Sequence, residues 1–405
     1  MAGVITFVEG GTVTTTPGFS AGATFAGLKT FAEDKLDLGV ILSEAPCVAA
    51  GVFTTSTIKS PSVTVNKEHL AQGLVRGIVV NAGIANACVG DQGYKDAQET
   101  AEIAARQMGV RPEEILVCST GVIGVELPMS LIRSGMDNVV MSADGGNSVA
   151  RAMMTTDTRP KETSVSFAVD GRQAHLSGVT KGSGMIHPNM ATMLAFLTTD
   201  VAVEPEFLRA TLTEVADSSF NMLTVDGDTS TNDTLLVLAN GLAGNRPVAS
   251  GSEDAATFKE ALMEVCVHLT REMARDGEGA SRLITVDVAG ARDTADARKA
   301  ARTVASSNLV KSAVYGADPN WGRIMMALGR SGAEATEERV DLFVNGVCIM
   351  ESGKPVPFHR DAVVALMRGP EISFRLNLHL GEGQATAWGC DLTEEYVIIN
   401  SAYTT

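Results

Sequence analysis

Apolar and polar positions in the first half of the chain follow two different periods. Apolar runs of strand length occur at residues 38–42, 48–53 and 77–80, and each run predicts a β-strand. Residues 94–108 instead carry small or apolar side chains at helical spacing, namely Ala97, Ala101, Ala104 and Met108. The chain is therefore predicted to begin as a mixture of strands and helices.

The clearest helix of the chain is predicted in the second half, at residues 252–276. Ser252 is placed to cap its start, and Arg271 and Arg275 lie near its carboxyl end, where positive charge complements the helix dipole. One face of this helix is apolar and consists of Phe258, Leu262, Val265, Leu269 and Met273. Such a pattern indicates a core helix with no implied chemistry.

Further apolar runs in the second half predict more strands. They lie at residues 233–238, 282–288, 339–350 and 371–380. Asn345-Gly346 divides the third run and is a typical two-residue hairpin turn. The second half is therefore also expected to mix strands with helices.

The composition is that of an ordinary folded protein. Of 405 residues, 45% are hydrophobic and 20% are charged, and the length suggests two or three domains. The formal net charge of −16 disfavours nucleic acid and an anionic membrane surface as partners. No apolar stretch approaches the ~20 residues that span a bilayer, and the first residues lack the basic segment of a signal peptide.

Six cysteines are scattered along the chain without a Cys-x-x-Cys pair. This spacing is typical of small buried side chains in a reducing compartment, and not of a disulfide framework or a zinc site. We therefore expect a cytoplasmic protein that holds no metal.

The most informative segment is residues 181–194, in which Thr192 follows Ala191 after a glycine-rich approach. An internal threonine hydroxyl is a weak nucleophile, but cleavage between Ala191 and Thr192 would give Thr192 a free α-amine. Such an amine has a pKa of about 7.7 to 8.0 and can act as the general base near neutral pH. The hydroxyl of Thr192 could itself attack the preceding carbonyl. Taken alone, however, the segment also fits a loop that enters a buried strand at residues 193–197.

The segment closely resembles the self-processing motif of the ornithine acetyltransferase family, the glutamate N-acetyltransferases of arginine biosynthesis. The resemblance continues in the same order through residues 81–88, 118–124, 154–158, 224–233, 318–323 and 400–403. It implies an α/β fold of the DmpA/ArgJ-like amino-terminal-nucleophile type, with mixed sheets and flanking helices. The two cleavage products, an α chain of residues 1–191 and a β chain of residues 192–405, would remain interlocked.

The same resemblance implies the residues of the active site. Thr192 matches the nucleophile, and Thr120 and Gly121 match the oxyanion hole. Without the family, Thr120-Gly121 would be read as a turn that ends a strand, although a hydroxyl and a glycine N–H can stabilise an oxyanion. The positions that match substrate contacts are Thr158, Lys181, Thr192, Glu278, Asn400 and Thr405.

The implied reaction moves acetyl from N2-acetylornithine to glutamate in two half-reactions, through an acetyl-threonine enzyme and without a metal or organic cofactor. Acetyl-CoA remains open as a second acetyl donor. Partners are expected to be these small molecules and the two fragments themselves, assembled as a heterotetramer of two α and two β chains, with neither nucleic acid nor membrane.

Two other functions remain open from the residues. An aminopeptidase of related fold would use water in place of glutamate, and a non-catalytic binding protein would never cut itself. His187 lies five residues before Thr192, but the amine mechanism does not require it. Residues 226–233 have the alternating oxygens of a calcium loop without its glycine and glutamate, so we predict a hydrogen-bonded turn there.

Overall fold

The computed structural model describes residues 4–29, 35–187 and 193–402, which form two β-sheets with helices around them. The strands of these residues are β1 Thr6–Phe7, β2 Phe19–Thr24, β3 Leu38–Phe53, β4 Val75–Ile84, β5 Ile115–Val122, β6 Lys161–Val169, β7 Arg172–Lys181, β8 Leu194–Thr199, β9 Leu223–Thr224, β10 Thr234–Ala239, β11 Leu283–Ala291, β12 Asp341–Val344, β13 Val347–Glu351, β14 Lys354–Pro355, β15 Glu371–Asn377 and β16 Gly383–Cys390.

The helices of the same residues are α1 Pro61–Gln72, α2 Gly90–Met108, α3 Met129–Met136, α4 Gly146–Met153, α5 Pro205–Ser218, α6 Ala255–Arg275, α7 Thr294–Ala305, α8 Asn308–Tyr315, α9 Trp321–Gly329, α10 Arg360–Met367 and α11 Glu394–Ala402. Three short 3₁₀ turns occur at Pro112–Glu114, Phe220–Met222 and Glu337–Arg339. In the described ranges, each helix is too short or too polar to cross a membrane.

The larger sheet has nine strands in the order β1-β6-β7-β8-β10-β3-β4-β5, and β2 pairs with β3 as well. The long strand β3 joins its two parts, because the start of β3 pairs with β2 and β4 and its end pairs with β10. Side chains of β4 and β5 share one buried cluster with side chains of β7, β8 and β10. The two parts of the sheet are therefore packed against each other.

The second sheet has seven strands in the order β14-β13-β12-β15-β11-β16-β9. Helix α6 contacts β6 and β7 of the larger sheet and also β11 and β16 of the second. Its five predicted apolar residues are all fully buried, as expected for a helix enclosed between two sheets. Helix α7 covers β11 and β16 as well.

Two details of the predicted elements are wrong. Residues 38–42 and 48–53 belong to the single strand β3, in which the register with β4 shifts between Leu42 and Cys47. The shift contains Pro46, whose missing N–H is tolerated at such an irregularity. Ser252 does not cap α6, because the helix begins at Ala255 and the Ser252 hydroxyl accepts a hydrogen bond from the N–H of Ala249 instead.

Other predictions from the pattern are confirmed. The hairpin at Asn345-Gly346 joins β12 to β13, and both residues have positive φ, as a primed turn requires. All six cysteines are free thiols, and four of them are buried. Cys88, however, is exposed, so the expectation of burial is wrong for that residue.

The larger sheet combines segments from both sides of the proposed cleavage position. Strands β8 and β10 follow residue 192 in the chain, yet they lie between β7 and β3, which precede it. The second sheet consists of later strands alone. A cut between residues 191 and 192 would therefore leave two pieces that share one hydrogen-bonded sheet and its core.

Candidate active site

A cleft of about 360 Å³ lies where β4, β5 and β7 end and where β8 and β10 begin. Five residues predicted for the site line it together: Thr120, Gly121, Lys181, Glu278 and, from α11, Asn400. The other lining residues are Gly83, Ala85, Val122, Ile123, Thr155, Thr156, Gly184, Met185, Asp226, Asp228, Thr229, Ser230, Thr231, Asn232 and Tyr396. Both sides of residue 192 therefore contribute to the cleft.

Thr120 and Gly121 lie at the end of β5, next to the end of the parallel strand β4. Gly121 pairs with Gly83, and both have positive φ, at 129° and 112°. A Cβ on Gly121 would lie 2.2 Å from the carbonyl carbon of Gly83. Only glycine can occupy this position, because the two backbones approach too closely for a side chain and the φ value is unfavourable for one.

Lys181, the last residue of β7, contacts the end of β5. Its Nζ donates a hydrogen bond of 3.3 Å to Oγ1 of Thr120. Burial lowers the pKa of Lys181, while the nearby carboxylate of Asp157 raises it. Lys181 also pairs across the sheet with Leu194, the first residue of β8.

A buried ion cluster lies behind Lys181. The Nζ of Lys161 donates to Oδ1 of Asp157 at 2.6 Å and to Oδ2 of Asp276 at 2.5 Å. Burial raises the pKa of Asp157, but the ammonium groups of Lys161 and Lys181 outweigh it and hold that pKa well below its usual range. Asp157 also accepts the N–H of Gly182 at 2.7 Å, which anchors the backbone directly after Lys181.

Thr158, predicted to contact substrate, is exposed and does not line the cleft. Its hydroxyl and its N–H both donate to the carboxylate of Asp276. The nearby Thr156 lines the cleft instead, and its hydroxyl donates to Oε1 of Glu278 at 2.7 Å. Of the threonines at 155, 156 and 158, the structure thus places Thr155 and Thr156 at the cleft and Thr158 away from it.

Glu278 is buried and lines the cleft. Its Oε2 accepts a hydrogen bond of 2.7 Å from Nδ2 of Asn400, and its N–H donates to the carbonyl of Ser183 at 2.8 Å. Gly184 permits this approach, because a Cβ there would lie 2.3 Å from the Glu278 carboxyl carbon. The carboxylate retains lone pairs for a further donor, so it is suited to bind an ammonium group.

The predicted hydrogen-bonded turn at residues 226–233 is confirmed. The Asp226 carboxylate accepts the N–H groups of Met185 at 2.6 Å, Ile186 at 2.8 Å and Asp228 at 3.2 Å. It also accepts the hydroxyl of Tyr396 at 3.3 Å. Burial and the negative charge of Asp226 raise the pKa of Tyr396. Asp226 thus connects the approach to residue 192 with helix α11.

Three predicted site residues, Ala191, Thr192 and Thr405, lie outside the described residues. The described chain resumes at Met193, one residue after the proposed nucleophile. Within the described ranges, no group of three or more His, Cys, Asp or Glu side chains could hold a metal ion.

His187 is partly buried, and its Nδ1 lies 3.0 Å from Oγ1 of Thr224. Burial, helped by the guanidinium of Arg302, lowers the pKa of His187 from about 6.5 to about 4. As the pH falls from about 6.5 to about 4, His187 binds a proton in the unfolded chain but stays uncharged in the folded protein. The free energy of unfolding should therefore fall with pH between about 6.5 and 4.

His187→Gln should remove part of this acid sensitivity and leave the pH dependence of turnover between pH 6 and 8 unchanged. Urea unfolding of both proteins at pH 4.5 and pH 7.5 measures the first effect. Equal losses of stability in the two proteins would contradict this reading of His187.

Tyr396, Thr156 and Asn232 line the cleft but are not among the residues that the motifs predicted for the site. Tyr396 precedes Asn400 by four residues on α11, so helical spacing could have placed both on one face. No comparable signal marks Asn232, because its Nδ2 donates to carbonyl groups more than a hundred positions away.

Comparison with known proteins agrees with the resemblance seen in the motifs. A family model described as the ArgJ family matches residues 20–405. The arginine biosynthesis bifunctional protein ArgJ of Symbiobacterium thermophilum is 50% identical over 397 residues, which cover 98% of this chain and 99% of that protein. The protein of the same name from Dehalococcoides mccartyi is 47% identical over 405 residues, which cover 100% of both chains.

A similar structure has been solved. A chain in the crystal structure of arginine biosynthesis bifunctional protein ArgJ from Bacillus halodurans is 42% identical, with a TM-score of 0.51. The match covers 98% of that chain but 51% of this one.

Proposed function

Because the chain belongs to the ArgJ family, we propose that it cuts itself between Ala191 and Thr192 and then transfers acetyl from N2-acetylornithine to glutamate. Family membership makes it an enzyme of arginine biosynthesis, as the motifs predicted. The observation that carries the proposal is the convergence of Thr120, Gly121 and Lys181 with Glu278 in one cleft, close to the start of β8.

Self-cleavage would supply the general base of the reaction. The new α-amine of Thr192 would take the proton of its own hydroxyl, so that one residue is both nucleophile and base. Two observations support this step. The solved chain from Bacillus halodurans corresponds to about half of this one, as a cleavage fragment would. The two prospective fragments of this chain share one sheet, so they would stay together after the cut.

In the first half-reaction, Oγ of Thr192 attacks the acetyl carbonyl carbon of N2-acetylornithine. The carbonyl oxygen becomes an oxyanion, stabilised by the Thr120 hydroxyl and the Gly121 N–H. The bond from the acetyl carbon to nitrogen then breaks. The α-amine returns its proton to that nitrogen, and ornithine leaves an acetyl-threonine enzyme.

The contact with Lys181 supports the role of Thr120. A threonine hydroxyl has one proton and two lone pairs, and the ammonium of Lys181 can only donate. Thr120 therefore accepts from Lys181 with its oxygen, and its own proton remains available for another acceptor. A hydroxyl with this arrangement can donate to an oxyanion in the cleft.

In the second half-reaction, the uncharged α-amine of glutamate attacks the acetyl carbon, and the bond from that carbon to Oγ of Thr192 breaks. The proton lost by the attacking nitrogen passes through the α-amine of Thr192 to Oγ, and N-acetylglutamate leaves the free enzyme. N2-acetylornithine carries an ammonium group on its side chain, and Glu278 is the buried carboxylate suited to bind it. Thr158, Lys181, Asn400 and Thr405 remain proposed substrate contacts.

These steps need no metal or organic cofactor. We also propose that the enzyme is cytoplasmic and assembles from two α and two β fragments. Acetyl-CoA and N2-acetylornithine would form the same acetyl-threonine. An assay of glutamate acetylation with acetyl-CoA as the donor therefore decides whether acetyl-CoA is used.

The test is a search for the covalent intermediate. Incubation with N2-acetylornithine alone should add one acetyl group to the fragment that begins at Thr192 and release one ornithine per active site. Glutamate should then remove the acetyl group, and initial-rate plots for the two substrates should be parallel. Mass spectrometry of the separated fragments measures the transfer.

The other outcomes identify the alternatives. Intersecting plots without an acetylated fragment would contradict the covalent route. Steady release of acetate without glutamate would favour the hydrolase, and a chain that never cuts itself would favour the binding protein.

A further inference from the structure

Asn232 and Asp233 are consecutive buried residues at the end of the hydrogen-bonded turn 226–233, directly before β10. The Nδ2 of Asn232 donates to the carbonyl of Ala85 at 2.5 Å and to the carbonyl of Ser119 at 2.8 Å. Ala85 directly follows β4, and Ser119 directly precedes Thr120 on β5. The side chain of Asn232 therefore binds the ends of both β4 and β5, where Gly83 pairs with Gly121.

Asp233 contacts Met193, the residue directly before β8. Its carboxyl group accepts a hydrogen bond from the N–H of Met193, while the N–H of Thr234 donates to the Met193 carbonyl at 2.9 Å. Strand β10 then continues parallel to β8, with Thr234 paired to Leu194. The Met193 N–H belongs to the peptide bond that follows residue 192.

We propose that Asn232 and Asp233 are positioning residues that set the separation between the oxyanion donors and Thr192. This inference rests on the proposed function. Their Cα atoms are consecutive and so about 3.8 Å apart, and each holds one of the two segments that must meet at the acetyl carbonyl. After cleavage Thr192 is bonded to the chain through Met193 alone, so the anchoring of Met193 limits where the nucleophile can move.

The need for such anchoring follows from the sensitivity of catalysis to distance. A displacement of about 1 Å between reacting groups can lower a rate by about 10²-fold. The β5 strand end and Met193 would belong to different fragments, so no covalent bond would fix their distance. Side-chain hydrogen bonds from Asn232 and Asp233 would supply this constraint.

Asp233 offers a substitution that tests position separately from charge. Burial raises the pKa of Asp233 well above its usual range. Its Oδ2 has no hydrogen-bond partner among the described residues. Asn at this position would keep the shape and the acceptor for the Met193 N–H, whereas Leu would keep the volume and remove the acceptor.

The experiment compares the rate of self-cleavage and the kcat per cut site for a graded set of variants. Asn232→Ala and Asp233→Leu should each lower at least one of these rates by about 10²-fold, with little change in KM for N2-acetylornithine. Asn232→Ser, which keeps one donor, should be intermediate. Asp233→Asn should retain most of both rates. Denaturing gels give the cleaved fraction, and the burst of ornithine gives the number of active sites.

Two matched controls separate positioning from general loss of stability. Asn66→Ala removes a buried amide that donates to the carbonyl of Val117, farther back on β5. Asp200→Leu removes a buried carboxylate just beyond the far end of β8. Both controls should lower the melting temperature and leave the two rates unchanged.

Wild-type rates in both Asn232→Ala and Asp233→Leu would overturn the inference. So would a loss in Asp233→Asn as large as that in Asp233→Leu, because a proton of Asp233 would then be required. If the wild-type protein cuts itself but transfers no acetyl to glutamate, the proposed function is wrong, and the cleavage rates still test the positioning.

Discussion

Thr192→Ala should leave the protein as one uncut chain that transfers no acetyl group. Alanine has neither a hydroxyl to attack the Ala191 carbonyl nor a nucleophile for the substrate, and the uncut chain has no α-amine at residue 192. We expect turnover to fall by about 10⁶-fold, as for other enzymes that lose their nucleophile. A denaturing gel, amino-terminal sequencing and an acetyl-transfer assay measure the three consequences.

Thr192→Ser is the matched control, since it keeps the β-hydroxyl and should still give a fragment that begins at residue 192. The uncut Thr192→Ala chain should fold, because the described strands on both sides of this segment pair independently of its side chain. Cleavage of Thr192→Ala at the same bond would show that another group or protease performs the cut.

Thr120→Ala should lower kcat by about 10²- to 10³-fold, the usual effect of removing one donor from an oxyanion hole. The hydroxyl accepts from Lys181 and has its proton free, so alanine removes a donor that is oriented before the substrate arrives. Because the oxyanion exists only in the transition state and its intermediate, binding of N2-acetylornithine should change little. Steady-state kinetics on the cut enzyme measure both parameters.

Thr120→Ser should restore most of the rate, because it keeps the hydroxyl between Lys181 and the cleft. Full turnover in Thr120→Ala would remove this residue from the mechanism. An equal loss in the alanine and serine variants would show instead that packing of the γ-methyl group is what matters.

Local patterns predicted many of the elements correctly. Helix α6 occupies Ala255–Arg275 within the predicted range 252–276, and its apolar face is buried as expected. The hairpin at Asn345-Gly346 follows from the conformations that these two residues tolerate. Strand β3 could not be predicted as one element, because its continuity depends on β2, β4 and β10, which lie elsewhere in the chain.

The motifs predicted the family, and the comparisons confirm it. They also named Thr120, Gly121, Lys181, Glu278 and Asn400, which the structure places around one cleft. The motifs could not show that the hydroxyl of Thr158 is held by Asp276 or that Thr156 is at the cleft. Thr156 and Thr158 lie two positions apart on a segment without regular secondary structure. The direction of each side chain therefore depends on the residues packed around it.

Periodicity and motifs within short stretches of chain are enough to predict the class of fold, the family and the elements with the strongest patterns, such as α6 and β10. The contacts of Lys181 with Thr120, 61 residues away, and of Asn232 with Ser119, 113 residues away, depend on the tertiary structure. Such contacts are set by the packing of the two parts of the larger sheet, to which many distant side chains contribute at once. No local pattern of residues encodes the distances between them.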